Sequence, residues 1–464
     1  MTLSLTPQTS TPGIKLFESL RAEDETGWNS LFVPPAEFSR LTGNGSVIVF
    51  GESGSGKTML FKILQLLARG DHELPARLLV FWRPAPLPTD VKENVAAVQR
   101  LASQVLDACG MALLGYIAQQ PDCFERADAW VQNLLAWFIR QSVRGSLATR
   151  LGPLKKVSNS GSTTLLHIQT MTVDDVLYEP SPEEMISELI TGLNQINIDG
   201  IWVLSDGLEG WAETAPEQLG RNLASFLSAL SLFEHSGMAF KFFIPSHLEP
   251  EIIRASGILR RRVDAYKLNW DAARLQKMAE KRLAVVLGKE TFRLQELCHS
   301  AELVDWLDRV GGTSPREWLD QVQPLIKYYI ENPTGSPISA GTWKKLRAEH
   351  PPYFWMDEAG RKVKVGGREI PINDVPPKAY DMLRYLYQHG GQVVTKDELY
   401  YLVYLEMGSI PRSAADAGYE SPNIFAGLID TSIYRLRQAI EPDPAEPVLL
   451  QTVRGHGVKL VSRL

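Results

Sequence analysis

Residues 46–60 read SVIVFGESGSGKTML, and this stretch decides the fold of the region around it. The apolar run Val47–Phe50 is typical of a buried strand, and KTMLFKILQLLARG, from residue 57 onward, has the period of a helix that ends at Gly70. Between them, residues 51–58 fit the pattern G-x-x-x-x-G-K-[ST]. A strand, a glycine-rich turn and a helix in this order predict a phosphate-binding loop.

The residue types in this loop suit a triphosphate with magnesium. Glycines let the backbone curl so that its N–H groups point inward, and the following helix adds its positive N-terminal end. Lys57 would neutralise charge on the β- and γ-phosphates, and the Thr58 hydroxyl is a ligand for Mg²⁺. ATP and Mg²⁺ are therefore the expected cofactors, and no N-K-x-D motif follows that would favour GTP. The predicted nucleotide-binding residues of the loop are Gly51, Glu52, Ser53, Gly54, Ser55, Gly56, Lys57 and Thr58.

A loop of this kind needs an acidic partner on a neighbouring strand, and IWVLSDGLEGW at 201–211 supplies one. Asp206 follows an apolar strand and can hold Mg²⁺ through water. Glu209 can orient or deprotonate the attacking water. The alternatives are a turn residue that caps the strand for Asp206 and a solvated loop acid for Glu209.

Short apolar runs alternate with amphipathic helices on both sides of this motif. The predicted strands after the first are RLLVFWRP (77–84), GIWVLSD (200–206), FKFFIP (240–245) and AYKLNW (265–270). This alternation predicts an α/β P-loop NTPase core with a parallel sheet covered on both faces. A helical insertion interrupts it at 91–190, and within that insertion the polar residues 158–184 are expected to form a loop or small hairpin.

After the P-loop region, the sequence pattern changes twice, first to helices alone and then to mixed strands and helices. Together with the lead-in and a linker, this gives five predicted regions. From Asp271 to about Ile330 the pattern is helical throughout, and ENPTGSPISAG has the composition of a linker. The predicted regions are a lead-in at 1–45, the P-loop ATPase domain at 46–270, a helical domain at 271–335, a linker at 336–350 and an α+β module at 351–464; the resemblances given below imply that the helical domain is a lid and the module a winged helix.

The P-loop together with VLSDGLEGW resembles the STAND class of ATPases, which is related to the AAA+ proteins. NACHT members of that class carry a strand that ends D-G-L-D-E, and here Asp206, Gly207, Leu208 and Glu209 match it. Gly210 stands where the family has its last acid. The resemblance implies an ATPase in which Lys57, Asp206 and Glu209 are catalytic and hydrolysis is slow.

Three further positions follow from the same resemblance. Ser246, in FFIPSHLEP, stands where a sensor strand ends, although the family has an arginine or asparagine there. Arg260 and Arg261, in ILRRRV, are candidates for an arginine that reaches the γ-phosphate of a neighbouring copy in a nucleotide-dependent homo-oligomer. Pro315 and Arg316, in GGTSPREWL, resemble the lid motif that senses nucleotide. The alternatives are a basic solvated turn and ordinary helix capping.

Residues 351–464 resemble the OmpR/PhoB winged helix. The matching stretches are Gly391 with VVTKDEL, then IYRLRQAIEPDP, and then QTVRGHGVKL against a family hairpin that ends T-V-R-G-x-G-Y, with Val458 in place of the tyrosine. The resemblance implies binding to double-stranded DNA, with the third helix in the major groove and the hairpin on the backbone or minor groove. The implied DNA-binding residues are Thr431, Ser432, Arg435, Arg437, Thr452 and Arg454.

Two observations limit this interpretation. Arg435 and Arg437 diverge by about 200° around a helix, so one of them is expected to brace a phosphate or the domain itself. Residues 351–464 carry 13 Lys or Arg against 14 Asp or Glu, without the excess of positive charge usual in DNA-binding modules. Ile424 and Leu428 are expected in the core. The alternative is a winged helix that docks on protein.

Bulk composition excludes several other classes. The net charge of −6 gives the whole chain no strong attraction to polyanions, and its three cysteines form no CxxC pair, which suits a reducing compartment. No run of about 18 apolar residues is evident in the sequence, and the N-terminus lacks a signal pattern. We therefore expect a cytoplasmic protein without a membrane span.

Three functions remain open from the sequence. The first is an ATP-binding, slowly hydrolysing switch that controls a DNA-binding winged helix, which makes the chain a signal-responsive transcription regulator. The second is a STAND-type ATPase of a bacterial immune system, whose winged helix is a protein-docking adaptor for a separate effector or signal protein. The third is an origin-recognition-type or transposition-type ATPase that assembles on DNA.

Overall fold

The structure is a computed structural model. It describes residues 31–69, 76–84, 94–156, 159–172, 180–207, 223, 226–227, 233, 235–255, 263–332, 336–357 and 361–462, without the side chains of 94, 95, 251, 254 and 255. The chain forms two compact units, of which the first is Pro34–Asn269 and the second combines Trp270–Leu464 with the residues up to Val33.

The first unit is built on a five-stranded sheet. Its strands are β1 (Val47–Gly51), β2 (Leu78–Phe81), β3 (Ile201–Ser205), β4 (Met238–Pro245) and β5 (Asp264–Lys267). Its described helices are α1 (Phe38–Thr42), α2 (Lys57–Leu67), α3 (Asn94–Gln119), α4 (Pro121–Glu125), α5 (Ala129–Ser142), α6 (Leu147–Leu151), α7 (Asn159–Thr170), α8 (Pro182–Gln195) and α9 (Glu249–Ala255). Two 3₁₀ turns lie at Leu154–Lys156 and Ser246–Leu248.

The sheet is parallel, in the order β2-β3-β4-β1-β5. All residues of β1, β3 and β4 are buried, as expected for central strands with helices on both faces. All five strands were predicted, and the α/β class of the core is confirmed. Because parallel strands end at one edge, the residues that follow β1, β3 and β4 lie along the same side of the sheet.

The insertion between β2 and β3 differs from the sequence expectation in two respects. Residues 159–170, predicted as part of a loop or hairpin, form α7, because Leu165 and Ile168 recur at helical spacing and are fully buried. Helix α3 contains Ala96–Gln119, the one described segment long and apolar enough to cross a membrane by length and composition. Of its most apolar window, 56% is buried inside the protein, where it packs against β2, α5 and α7 as a core helix.

A buried lysine fastens the segment that leads into β1. Lys241 lies in the middle of β4 with no exposed surface, and its Nζ donates to the carbonyl oxygens of Gly43 and Gly45 at 2.8 and 2.7 Å. Burial lowers the pKa of Lys241 to about 7. The two carbonyl groups, together with the Trp202 ring 5.7 Å from Nζ, replace part of the hydration that this ammonium loses.

The second unit contains the helical segment and the C-terminal module. Its described helices are α10 (Ala272–Val286), α11 (Leu294–Leu297), α12 (Leu303–Gly311), α13 (Pro315–Glu331), α14 (Ala340–Glu349), α15 (Pro377–Gln388) and α16 (Pro422–Ile440), with a π-helical segment at Glu398–Tyr404. Its strands are β6 (Phe354–Asp357), β7 (Lys362–Val365), β8 (Arg368–Pro371), β9 (Leu450–Val453) and β10 (Gly457–Leu460).

The C-terminal module has the element order expected of a winged helix. An antiparallel sheet, β6-β7-β8, precedes three helical segments, and the β9–β10 hairpin follows them. Val394, before the π-helical segment, pairs with Val458 of β10 and attaches the hairpin to the helices. The predicted fold class, an α/β core followed by a helical segment and an α+β module, is confirmed.

The segment predicted as a linker, 336–350, is a packed element in its described part. Ile338 forms a bridge with Cys298, and α14 occupies 340–349. Trp343 of α14 packs edge-on against Trp306 of α12. Arg347, also on α14, lies 4.6 Å from the centre of the Trp306 ring and forms an ion pair with Glu446 of the module. The composition of this segment resembles that of a linker, but the packing of Trp306 and Trp343 buries it.

The helical segment and the module also meet directly, through backbone. The Gly367 amide, in the β7–β8 turn, donates to the carbonyl oxygen of Val310 at 2.9 Å. A Cβ atom at Gly366 would fall 2.3 Å from the Val310 oxygen, and one at Gly367 would fall 2.3 Å from the Gly311 oxygen. The Arg309 guanidinium donates to the Pro442 oxygen at 3.1 Å, after α16. These hydrogen bonds and close backbone approaches join the helical segment to the module within the second unit.

We predict that Gly367→Ala destabilises the second unit, since its Cβ would push the β7–β8 turn away from Gly311. Overpacking of this kind costs about 1–3 kcal/mol, which thermal unfolding of the full chain would show as a lower melting temperature. Gly341→Ala is the matched control, because Gly341 is helical and open space surrounds its Cβ position. Identical melting curves for Gly367→Ala and the unmodified protein would contradict the close backbone packing.

Candidate functional site

The loop between β1 and α2 is shaped by three glycines. Gly54 and Gly56 have φ angles of 80° and 96°, in the left-handed region that favours glycine. Gly51 lacks room for a side chain, because a Cβ atom there would lie 2.4 Å from Ser55 Oγ and 3.2 Å from Lys57 Cγ. The loop therefore curls tightly around its own interior, as the G-x-x-x-x-G-K-[ST] pattern predicted.

Lys57, the first residue of α2, is held inside this curl. The residue is only 5% exposed, and its Nζ donates to the carbonyl oxygens of Gly51 and Glu52 at 2.9 and 3.0 Å. The ammonium group is thus fixed at the carboxyl end of β1 beside the first turn of a helix. Charge of this sign next to the N-terminal amides of a helix makes an anion site.

A cleft of about 470 Å³ opens beside the loop, within the size range of small-molecule sites. Its lining residues are Glu52, Ser53, Lys57, Pro245, Ser246, His247 and Lys267. Pro245 pairs with Gly51 in the sheet, which places Ser246 level with the loop. The buried Ser246 Oγ has no hydrogen-bond partner within the described residues, so it is available to a ligand.

Asp206 lies at the same edge of the sheet, farther from the loop. It follows β3, which is separated from β1 by β4, and it is half-buried but does not line the cleft. The preceding residue, Ser205, is 1% exposed, and its Oγ lacks a hydrogen-bond partner among the described residues. The carboxyl edge thus carries an acid on β3, a serine after β4 and a lysine after β1, in strand order.

Two basic residues at this edge of the sheet were not predicted from the sequence. Lys267 is the last residue of β5 and lines the cleft. Arg83 follows β2, and its guanidinium lies against Gly207, where a Cβ atom would come within 2.3 Å of Nη2. Both lie inside the strands predicted from the sequence, at 77–84 and 265–270, so no sequence signal marked them; the observed strands end at Phe81 and Lys267.

The remaining residues predicted for the nucleotide site have different outcomes. Glu209, Arg260 and Arg261 lie outside the described residues. Pro315 is buried in the first turn of α13, which Ser314 caps by accepting from the Glu317 amide at 3.5 Å. Arg316 is half-buried beside it. Capping explains why this sequence begins a helix, and the nucleotide-sensing role of Pro315 and Arg316 stays a prediction.

In the C-terminal module, the two arginines of α16 have separate surroundings. Arg437 donates from Nε and Nη2 to the Leu450 oxygen at 3.1 and 2.7 Å, and from Nη2 to Thr452 Oγ1 at 2.7 Å. It therefore braces the β9–β10 hairpin, the alternative that the helical geometry left open. Arg435 points to the exposed side of α16, and Arg454 is exposed in the hairpin turn.

The hairpin has a second anchor at the end of α16. The buried carboxylate of Glu441 accepts from the backbone amides of Val448, Leu449 and Leu450 at distances of 2.6–3.1 Å. Burial raises the pKa of Glu441, while these amides favour its ionised form and lower it. Arg437 and Glu441 together fix the hairpin relative to the helix, so α16 and the hairpin present a single surface.

The exposed side of α16 is less polar than predicted. Ile424, expected in the core, is 68% exposed, and Tyr434 is 62% exposed on the same side of the helix. Leu428 is half-buried. Thr431 and Ser432 turn their hydroxyls back to the carbonyls of residues 427 and 428, at 2.7 and 3.0 Å. The expectation for Ile424 was wrong because the core side of the helix uses Phe425 and Ile429 instead.

Comparisons with known proteins give partial sequence matches to one family model and to curated proteins. Residues 15–74 match the ORC-CDC6-like family model. A stretch of 105 residues, 23% of this chain and 39% of the other, is 36% identical to the sensory transduction protein RegX3 of Mycolicibacterium smegmatis. A stretch of 90 residues is 32% identical to the alkaline phosphatase synthesis transcriptional regulatory protein PhoP of Bacillus subtilis, 19% of this chain and 30% of the other. The chain thus spans about two fifths or less of these relatives.

Among solved structures, the chain is distantly similar to two proteins of Aeropyrum pernix. The ORC1 protein in complex with DNA has a TM-score of 0.32 and 13% identity, with 93% of this chain and 90% of that chain covered. The ORC2 protein in its ADPNP-ADP complexes has a TM-score of 0.34 and 11% identity, with 93% and 92% covered.

Because the two arginines on α16 have different surroundings, we predict that removal of Arg437 lowers the stability of the protein and that removal of Arg435 does not. Arg437→Met should lower the melting temperature, because a hydrogen-bonded charged group contributes about 1.5–3 kcal/mol. Arg435→Met should change the free energy of unfolding by less than about 0.5 kcal/mol, as is usual for exposed positions. Chemical denaturation of both variants measures this contrast, and equal destabilisation would contradict the bracing role of Arg437.

Proposed function

We propose that this chain is an ATP-dependent switch that controls a DNA-binding module and thereby regulates transcription. The observation that carries the proposal is the cleft beside the β1–α2 loop at the carboxyl edge of a parallel sheet. The Lys57 ammonium, Lys267 and the Ser246 hydroxyl, which has no hydrogen-bond partner among the described residues, line this one cavity. Ligands of α/β proteins bind at this edge. A polyphosphate matches the charge of the two lysines.

The residues present fit a nucleoside triphosphate with Mg²⁺. The curled backbone of 51–56 and the first turn of α2 offer N–H groups, Lys57 offers a cation, and Thr58 and Asp206 offer oxygen ligands for the metal. Bound Mg²⁺ would neutralise charge on the phosphates and polarise the bond to be broken. Ser246 and Lys267 would orient the phosphates from the β4 and β5 ends of the sheet.

Hydrolysis is proposed to be slow. Asp206 is the one acid of the predicted pair that the structure describes, and Gly210 removes a carboxylate that STAND ATPases have. An enzyme that holds its nucleotide long enough can use the bound state as a signal. The finer STAND resemblance supports this proposal through Asp206–Glu209, whereas the family-model match at 15–74 points to ORC-CDC6-like proteins.

The DNA-binding end of the proposal comes from the C-terminal module. The stretches that match RegX3 at 36% identity and PhoP at 32% identity are 105 and 90 residues long, close to the length of the module, which resembles OmpR/PhoB proteins in sequence. PhoP is named as a transcriptional regulatory protein, and we extend that role to this chain. Arg435 of α16 and Arg454 of the hairpin are exposed and available to DNA.

The packing of the second unit suggests how the two ends communicate. The helical segment that would sense nucleotide through Pro315 and Arg316 contacts the module at the β7–β8 turn, at Pro442 and at Glu446. Any displacement of α12 and α13 must therefore carry α16 with it. To shift the chain from one arrangement to the other, the preference of ATP for one arrangement must exceed that of ADP by several kcal/mol of binding free energy.

Removal of the Lys57 ammonium should weaken nucleotide binding at least about tenfold, since a charge-assisted hydrogen bond contributes about 1.5–3 kcal/mol. Isothermal titration of Lys57→Ala with a non-hydrolysable ATP analogue and Mg²⁺ measures the loss. Arg69→Ala, at an exposed cation just after α2, is the matched control and should bind normally. Unchanged affinity in Lys57→Ala would reject the cleft as the nucleotide site.

A second test addresses the switch itself. The affinity for duplex DNA should differ between the ATP-analogue and ADP states, and Lys57→Ala should abolish that difference without abolishing DNA binding. Arg435→Gln with Arg454→Gln should weaken DNA binding in both states. Fluorescence anisotropy at fixed salt measures the affinity of each of the three proteins in both nucleotide states. Equal affinities in both nucleotide states would exclude a nucleotide-controlled DNA reader.

Specific observations favour each alternative function. Ile424 and Tyr434 expose apolar surface on α16, which suits the protein-docking adaptor of a STAND-type immune ATPase with a separate effector. The ORC-CDC6-like match favours an ATPase that assembles on DNA, in which Arg260 or Arg261 would act on a neighbouring copy. Nucleotide-dependent capture of a partner protein that Ile424→Ser abolishes would support the first. DNA-stimulated oligomer formation would support the second.

A further inference from the structure

The helical insertion carries an unusual distribution of charge. Residues 129–172 contain five Lys or Arg, at positions 140, 144, 150, 155 and 156, and no Asp or Glu, in a chain whose net charge is −6. Arg140 donates to the carbonyls of Ile168, Gln169 and Met171 and so completes the end of α7. The other four cations lie between α5 and α7.

These four cations are gathered at one corner of the insertion, which we call the basic corner (Arg144, Arg150, Lys155 and Lys156). Asp107 of α3 accepts from the Arg144 backbone amide at 2.8 Å and from the Arg150 guanidinium at 2.7 Å. The 3₁₀ turn that carries the two lysines packs on α3, α6 and α7. The side chains of Arg144, Lys155 and Lys156 have no ion pair within the described part of the chain.

The surface around the basic corner is small and polar. Its exposed neighbours include Gly145, Ser146, Thr149 and Gly152. Gly145 has a φ of 80°, and no atom lies within 4 Å of its Cβ position, so its backbone is open to close approach. Among the described residues between 131 and 165, no large apolar side chain is exposed, the nearest being Trp130 and Leu166.

This composition distinguishes between polyanions. A segment that inserts into a membrane surface carries exposed Trp, Phe or Leu beside its cations, and a protein interface has an aromatic or aliphatic centre. A surface of cations, hydroxyls and glycines matches the sugar-phosphate backbone, whose contacts come from Lys, Arg, Ser, Thr and backbone N–H groups.

We propose that the basic corner binds the phosphate backbone of duplex DNA as a second contact, separate from the C-terminal module. It adds affinity and salt dependence but no base specificity, because phosphate contacts are the same at every sequence. The contact does not depend on nucleotide in the cleft, nor on whether α16 reads DNA. It enlarges the DNA footprint of a chain whose C-terminal module has no net positive charge.

The test is the salt dependence of binding in the full chain, with the variant Arg144→Gln/Lys155→Gln/Lys156→Gln. Each neutralised phosphate contributes about −0.9 to the slope of log K against log salt, so loss of three contacts should make the slope less negative by about 2 to 3. Arg40→Gln/Arg69→Gln/Arg126→Gln removes the same charge from exposed positions of the same unit and should leave the slope unchanged. The same slope in both triple variants would overturn the proposal.

Two further arms separate this contact from others. The triple variant made in an Arg435→Gln/Arg454→Gln background should still reduce the slope, which shows that the effect does not come through the C-terminal module. Failure of Arg435→Gln/Arg454→Gln alone to weaken binding would count against the proposed function and leave this contact intact. Loss of binding only to duplex RNA, or only to phosphatidylserine vesicles, with an unchanged slope for duplex DNA, would assign the basic corner to another polyanion and overturn the proposal.

Discussion

The candidate nucleotide site depends on the parallel pairing of β1 with β4 and β5. Parallel strands must end at one edge, and this constraint brings together residues that lie almost 200 positions apart in the chain. Gly51 pairs with Pro245, so Ser246 is level with the curled loop, and Phe50 pairs with Lys267 on the other side. A slip of one residue in either register would turn Lys267 or the loop away from the cleft. The buried Lys241, which ties β4 to the residues before β1, helps to fix that register.

The sequence predicted the strands and the loop that form this site better than it predicted all the residues that surround it. Strong apolar runs identified β1, β3 and β4, because a strand buried on both faces has little choice of residue type. The loop was predictable because only glycine tolerates the φ angles of residues 54 and 56. Lys267 and Arg83 were missed since single basic residues at strand ends have no pattern of their own, and their importance comes from the order of strands in the sheet. Strand order depends on pairing between distant segments, which the spacing of residues does not show.

The same contrast applies to the second unit. The linker at 336–350 was predicted from the composition of ENPTGSPISAG, at 331–341, yet Trp343 and Arg347 bury the segment against α12 and the module. Ile424 was expected in the core because apolar side chains on a helix usually are, and the choice of Phe425 and Ile429 for that purpose follows from the rotation of α16 about its axis. Both errors arose where contacts between distant residues overrode local composition. The bracing role of Arg437 could be anticipated only as one of two options, since helical spacing shows that two side chains diverge but not which of them faces the hairpin.

The close glycine contact between the α12–α13 turn and the β7–β8 turn limits where recombination can exchange the C-terminal module of such a protein. Gly366 and Gly367 allow two backbones to approach where a side chain would collide with the carbonyl oxygens of Val310 and Gly311, and a Cβ atom at Gly311 would collide with the Trp318 ring. A C-terminal module exchanged at residue 351 would arrive without its partner turn and would have to find glycines in the recipient. An exchange that begins near Trp270 would keep the two turns together, because both lie in the second unit, whereas an exchange at residue 351 would separate them.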